Sequence, residues 1–481
     1  MNSNPVPRRN DRKRYAFWKQ MLRSDRRPRP LRLTVLVFSL LLGTAGSALA
    51  APALDSGFGE GGIVRTPLPE PIRSSIANSG KGPLIEDLAS QRNGKIVGAL
   101  ASGGETPFFG AVRYRSGGAL DRSFGEGGFA NLEREFRGVE GEAQGEAVAL
   151  QQDGRILIAG YRAATRFREN RPRRISPLLV RLLPNGSPDA SFGKKGLVTS
   201  KPQGSNGEAL HDIAVQRGGR IVAVGARNEF TGGRPAGMVV AYRRDGGIDR
   251  SFGGAGRLLL PDRREGYTAL RDLAVLPSGK LLVAGYLGDW FLIARLQPDG
   301  DLDHSFGRHG KILLGGDIGA CCPSDAKLSL LPGGRFLALS APLGGTQTLF
   351  RFHASGQLDR SFGRRGALRG KWMRQVGEAA GLAVQGDGRI VISGTSGRVR
   401  ASDRTAKFVI SILRALPSGK PDRSFGRNGA HYLPLGYNAA GTFALTLPGG
   451  DVVVGGGTQV LAGPQSEDRF DYQLVLARLY R

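Results

Sequence analysis

Beyond its first fifty residues the chain is built from short apolar runs punctuated by Gly, Asp, Asn and Pro, with hardly any helical period. The clearest runs each follow a tight turn: NGKIVGAL, DGRILIAG, GGRIVAVG, SGKLLVAG, GGRFLALS, DGRIVISG and GGDVVVGG. Rich in Ile, Val and Leu and preceded by DG or GG, they read as the second strands of β-hairpins. A further set of apolar segments recurs at constant phase and usually carries an Arg: GAVRYRSG, LLVRLLPNG, MVVAYRRDG, FLIARLQPDG, LFRFHASG, VISILRALPSG and the terminal LVLARLYR. A Phe-Gly element precedes a shorter run, as in GGIV at 61–64, and another strand ends just before the hairpin turn, as in HDIAVQ at 211–216. Each unit therefore predicts four strands, A to D.

The Phe-Gly element stands at Phe58, Phe124, Phe192, Phe252, Phe306, Phe362 and Phe425, at intervals of 66, 68, 60, 54, 56 and 63 residues. Its spellings are LDSGFGEGG, LDRSFGEGG, PDASFGKKG, IDRSFGGAG, LDHSFGRHG, LDRSFGRRG and PDRSFGRNG. Seven units of four strands predict an all-β fold, a seven-bladed β-propeller with four antiparallel strands in each blade and one unit per blade. The units begin near 54, 120, 188, 248, 302, 358 and 421. No atypical repeats cap the ends, as a solenoid would require, so a closed ring is expected over residues 51–481.

The LDxSFGxxG element, the DGRIxVAG hairpin and the sixty-residue period resemble the bacterial delta-sixty repeat. The resemblance covers essentially all of residues 54–481 and implies a propeller without an assigned activity. Within the motif, Asp121 and its counterparts suit a turn that fixes the D-to-A connection, read here as the crossing between blades. The Phe would wedge between blades, and the Gly residues would supply positive φ. The first copy has Gly57 where others have Ser.

Residues 1–50 read as a signal peptide: a basic lead to Arg32, the apolar core LTVLVFSLLLG and a small-residue site for cleavage after Ala50. The core is too short to span a bilayer, no later stretch is a transmembrane candidate, and a secreted or cell-surface monomer is expected. The chain holds 68 Lys and Arg against 41 Asp and Glu. Eleven basic and two acidic residues lie in the first fifty, leaving 57 against 39. Such an excess favours anionic partners: a cell-envelope component, an acidic polysaccharide or extracellular DNA. Cys321 and Cys322 are adjacent and cannot staple distant strands, and no Cys and His spacing suits zinc.

Alternating strands put the stereotyped D-to-A and B-to-C turns on one face and the variable A-to-B and C-to-D loops on the other, where binding residues are expected. The loop at 161–176 carries Arg162, Arg166, Arg168, Arg171, Arg173 and Arg174, an anion patch or a solvated hairpin tip. The same face should show Arg263, Arg264, Tyr267, Lys371, Trp372, Arg374, Tyr432 and Tyr437, with Trp372 packed over a blade edge in the plainer reading. Strand B places Asp87, Asp212 and Asp272 at one position, with His211 beside them. The function expected is a secreted, non-enzymatic binding or scaffolding module for an anionic polymer or a protein partner, without a cofactor or metal. The alternative is an extracellular hydrolase or lyase using Asp87, His211, Asp212 and Asp272 in the channel, with calcium as the cation it would employ.

Overall fold

The computed structural model describes residues 54–70, 84–101, 109–132, 142–163, 175–199, 207–228, 235–260, 268–315, 323–342, 346–397, 408–433, 435–436, 438–461 and 470–480. Among them lie seven four-stranded antiparallel sheets and only two short 3₁₀ turns, Pro332–Gly334 and Met373–Val376. The innermost strand of each sheet touches those of both neighbours, and that of the seventh touches that of the first, so the sheets are seven blades closed into a ring. In order, the inner strands are Leu84–Ser90, Glu142–Leu150, Glu208–Val215, Thr268–Val275, Pro323–Leu330, Glu378–Val384 and Asn438–Thr446.

The phase of the strands differs from the expected one. Within a blade the order from the axis outward is B, C, D and then the A strand of the next sequence unit. The D-to-A connection is therefore a hairpin inside one blade, and the crossing between blades is A-to-B. Blade 7 has its first three strands from the end of the chain and its outer strand, Ile63–Pro67, from the beginning, paired antiparallel with Phe470–Leu479. The offset closes the ring with backbone hydrogen bonds within one blade.

The core lies between blades rather than within them. Seven clusters of buried side chains each draw on two adjacent blades. The motif phenylalanines sit in these layers, all seven fully buried, each contributing roughly 1.5–3 kcal/mol by leaving water. Every inner strand also carries a β-bulge, as between Leu210 and Asp212. The glycine that ends many of the apolar runs is its complement: a Cβ on Gly225 would lie 1.9 Å from the Ala209 carbonyl oxygen. Only a residue without a side chain lets the second strand follow the bulged first one so closely.

Candidate functional site

The repeated motif builds a joint. Asp121 Oδ1 accepts from the Ser123 hydroxyl at 2.7 Å, while Oδ2 accepts from Arg113 Nε at 2.8 Å and pairs with Lys95 at 2.9 Å. The Arg113 guanidinium lies 4.5 Å from the Phe124 ring centre and donates to the Pro184 carbonyl of blade 2. Gly125 N–H donates to the Asn185 carbonyl, also of blade 2, at 2.7 Å. The expected wedge between blades is present, but Asp121 holds a hairpin of its own blade while Arg113 and Phe124 make the crossing. Burial would push the Asp121 carboxyl up, yet Lys95, Ser123 and the Arg113 guanidinium outweigh it and hold it below the usual range.

The same joint recurs around the ring through Arg181, Arg295, Arg351, Arg414 and Arg478, each on its Asp and over its Phe. Arg478 of blade 7 donates to Ser116 of blade 1 at 2.9 Å, so the closing interface is built like the others. In the first copy Gly57 keeps the backbone bond to Asp55, 3.0 Å, and lacks only the hydroxyl one. Blade 3 has Ala241 where the others have Arg. There Arg220, from the start of the second strand, reaches Asp249 at 2.6 Å and the Pro298 carbonyl at 2.9 Å. The arginines recurring in strand D are thus structural.

In the channel the structure brings Asp87, Asp212 and Asp272 to equivalent places just past the bulge. Each carboxylate reaches the next blade. Asp87 accepts from Val148 N–H at 2.9 Å, Asp212 from Leu273 N–H at 2.6 Å and Asp272 from Leu328 N–H at 2.6 Å. Asp87 and Asp212 also accept from the N–H of the following residue, Leu88 and Ile213. In blade 5 the bulge comes earlier, so Asp325 takes this place and Lys327 projects beyond it. The Lys327 ammonium lies 3.8 Å from Asp325, 3.9 Å from Asp272 and 5.1 Å from the centre of the Phe443 ring. Burial lowers its proton affinity, but Asp325, Asp272, Asp212 and Asp87 more than restore it, and it is held charged.

His211 draws its carboxylate from another blade. Its Nδ1 is 3.0 Å from Glu146 Oε2, and its Nε2 is 3.0 Å from Arg271 Nη1. Because guanidinium can only donate, Nε2 accepts and the Nδ1 proton faces Glu146. Asp212 turns instead to backbone N–H groups. Burial, followed by repulsion from Glu146, pushes Glu86 up to about 8, and burial raises Asp87 to about 6 and Asp272 to about 7. Among the described residues no three His, Cys, Asp or Glu are grouped so as to hold a metal ion. Asp325 escaped the sequence reading because the bulge of blade 5 lies two residues farther from the hairpin turn, so counting back from that turn puts Lys327 in its place. Glu146 stands in register with Glu86 and His211 and was passed over because Ala147, not an aspartate, follows it.

Of the variable-face candidates, Arg162 is half-buried near the end of the strand Ile156–Ala163, opposite Ser176. Arg166, Arg168, Arg171, Arg173, Arg174, Arg263, Arg264, Tyr267 and Tyr437 lie outside the described residues, as do Cys321, Cys322 and the segment 1–50. Trp372 is half-buried and donates from Nε1 to the Asn428 carbonyl at 2.9 Å, the packing role of the plainer reading. Arg374 is exposed and lines a cleft of about 630 Å³ between blades 5 and 6, together with Arg364, Arg369 and Lys420. A second cleft, about 750 Å³, opens between blades 3 and 4 beside Arg217, Arg220, Arg243 and Arg244.

A family model described as a domain of unknown function (DUF5122) beta-propeller matches residues 175–192 and 276–306. The chain resembles an uncharacterised propeller repeat. No curated protein matches it. Among solved structures it is similar to a protein of unknown function from Dyadobacter fermentans, at 12% identity and a TM-score of 0.42, over 86% of this chain and 99% of that one. It is also similar to the NanB sialidase of Streptococcus pneumoniae, at 10% identity and 0.41, over 85% and 69%. A third is a putative oxidoreductase (glucose dehydrogenase) of Thermus thermophilus, at 19% and 0.36, over 70% and 98%. Propellers host unrelated activities, so none of these likenesses assigns a chemistry. No helix of the described residues is long and apolar enough to cross a membrane.

Proposed function

We propose that this protein is an exported propeller that binds an anionic extracellular polymer through cations on its rim, without turning it over. The observation that carries this reading is how charge is distributed. The strand-D arginines are consumed by joints, each facing an aspartate, and three channel carboxylates are consumed by backbone N–H groups of the next blade. The surplus of basic over acidic residues in 51–481 must therefore lie elsewhere, and exposed arginines in the clefts between blades are part of it. A cationic rim on a rigid ring favours polyanions, whose condensed counterions are released on binding.

The test is retention of acidic and neutral polysaccharides on immobilised residues 51–481, with the polymer recovered and sized afterwards. Retention of the acidic polymer alone, weakening several-fold between about 50 and 200 mM salt, with chain length unchanged, is expected. Equal retention of neutral polymer would overturn the electrostatic reading. Shortened chains would replace the module with the hydrolase or lyase and move attention to Glu86, Glu146 and His211.

A further inference from the structure

The two clefts between blades differ in one respect that separates structural from available charge. Between blades 3 and 4, Arg220 is paired with Asp249, Arg243 with Asp245 at 3.1 Å, and Arg244 Nε donates to the Gly218 carbonyl at 2.7 Å. Two of that cleft's four arginines are thus neutralised by carboxylates, and a third is tied to a backbone carbonyl. Between blades 5 and 6, the side chains of Arg364, Arg369, Arg374 and Lys420 are all exposed, and none has an acidic partner among the described residues. Among the described residues no acidic side chain lines this cleft. Its floor includes Ala367 and Leu368, both buried. Those two residues are the entire outer strand of blade 5, whereas the other outer strands have three to five. The short strand opens the wall between the blades, and the chain then turns at once into the 3₁₀ segment that presents Arg374.

Four cations around one concavity repel each other, and no carboxylate among the described residues pairs with any of them. A ligand with several oxyanions would. The volume lies in the range of sites that enclose a short ligand segment rather than a duplex. Among the described residues no aromatic ring lines the cleft, which disfavours the stacking by which single-stranded nucleic acid is gripped.

Resting on the polymer-binding reading above, we infer that the cleft between blades 5 and 6 seats one segment of an acidic polysaccharide, its sulfate or carboxylate groups held by Arg364, Arg369, Arg374 and Lys420. Arginine forks match both groups in two-pronged fashion. These residues sit on the hairpin of one blade, the crossing that follows it and the hairpin of the next. The repeat motif itself supplies Arg364, at a position that reads Glu, Lys, Gly or Arg in the seven copies.

The experiment compares residues 51–481 with R364S/R369S/R374S/K420S and with the control R243S/R244S, using fluorescent dextran sulfate, polygalacturonate and single-stranded DNA. Thermal melting confirms that each variant folds, and the two-site variant R369S/R374S provides a milder form. The four-site variant is expected to bind one or both polysaccharides at least tenfold more weakly than the parent, an order-of-magnitude figure for several exposed charges. Its salt slope should be shallower by about three. Dextran sulfate alone would identify sulfate as the anion, polygalacturonate alone the carboxylate. If the parent binds and the four-site variant binds equally well, or the control loses as much, the cleft is not the seat while the module reading stands. If the parent binds none of the three polymers even at low salt, the module reading fails and this inference with it. Binding confined to DNA would overturn the polysaccharide assignment.

Discussion

At the scale of single residues, the motif is a device for burying an ion pair safely. An aspartate between blades would be costly unless every lone pair found a donor, and the Arg, the Ser hydroxyl and backbone N–H groups supply them. The joints are not equally protected. Asp121 keeps Lys95 if Arg113 is removed, whereas Asp359 has only Arg351 and, 3.9 Å away, His353. Arg351→Ala should therefore cost about 3 kcal/mol, the loss typical of stranding a buried charge, and Arg113→Ala about half that, both read from urea unfolding. Equal losses would contradict the joint's chemistry. Gly186 makes a second test. At φ +93° it closes the turn that meets the preceding blade, and a Cβ there would lie 2.8 Å from Gly125 N and 2.9 Å from the Phe124 ring. Gly186→Ala is expected to destabilise by about 1–3 kcal/mol, more than the same change at Gly127, which shares a positive φ of +63° but where a Cβ would meet nothing within 4 Å.

At the scale of strands and hairpins, unit count and strand number were legible because each strand carries its own apolar run and its own turn. The phase was not. Strand A has a sequence neighbour on either side, and local pattern alone does not say which one it pairs with. The deciding signal was length: fourteen residues separate strands D and A in all six blades where the chain is continuous, while the A-to-B crossings vary. A connection of fixed length with fixed turn chemistry is a hairpin, and one that tolerates variation is a crossing. The same signal hid Arg364, which stands in the motif and reads as part of the joint although it points away from it. Because the offset makes Ile63–Pro67 the outer strand of blade 7, removing residues 54–67 should expose the edge of Phe470–Leu479 and the layer around Phe58. Self-association of that truncated chain in analytical ultracentrifugation is expected, and a monomer with unchanged unfolding midpoint would argue against closure by this strand.

At the scale of the whole molecule, two populations of carboxylates pull stability in opposite directions with pH. The joint aspartates are held below their ordinary value, as at Asp121, Asp303 and Asp422. Their contribution is complete above about pH 4, the unfolded value, and is lost as pH falls below it. Glu86, Asp87 and Asp272 are raised to about 8, 6 and 7. They favour the folded ring while protonated, so their contribution is complete below about pH 4 and is lost as pH rises through 6 to 8. Stability should peak between about pH 4 and 6, and Glu86→Gln should flatten the alkaline limb. A monotonic rise to pH 8 in denaturant titrations would mean that burial does not raise the channel carboxylates as described.

Among the described residues the ring is neutralised where its motif repeats and carries cations without acidic partners at its rim, where we propose that function lies. The most direct check is amide hydrogen exchange of residues 51–481 with and without a bound acidic polysaccharide. Protection is predicted at 363–374 and 418–421, with the inner strands around Asp87, His211 and Asp272 unchanged. Protection confined to those inner strands would contradict the account and return the function to the channel.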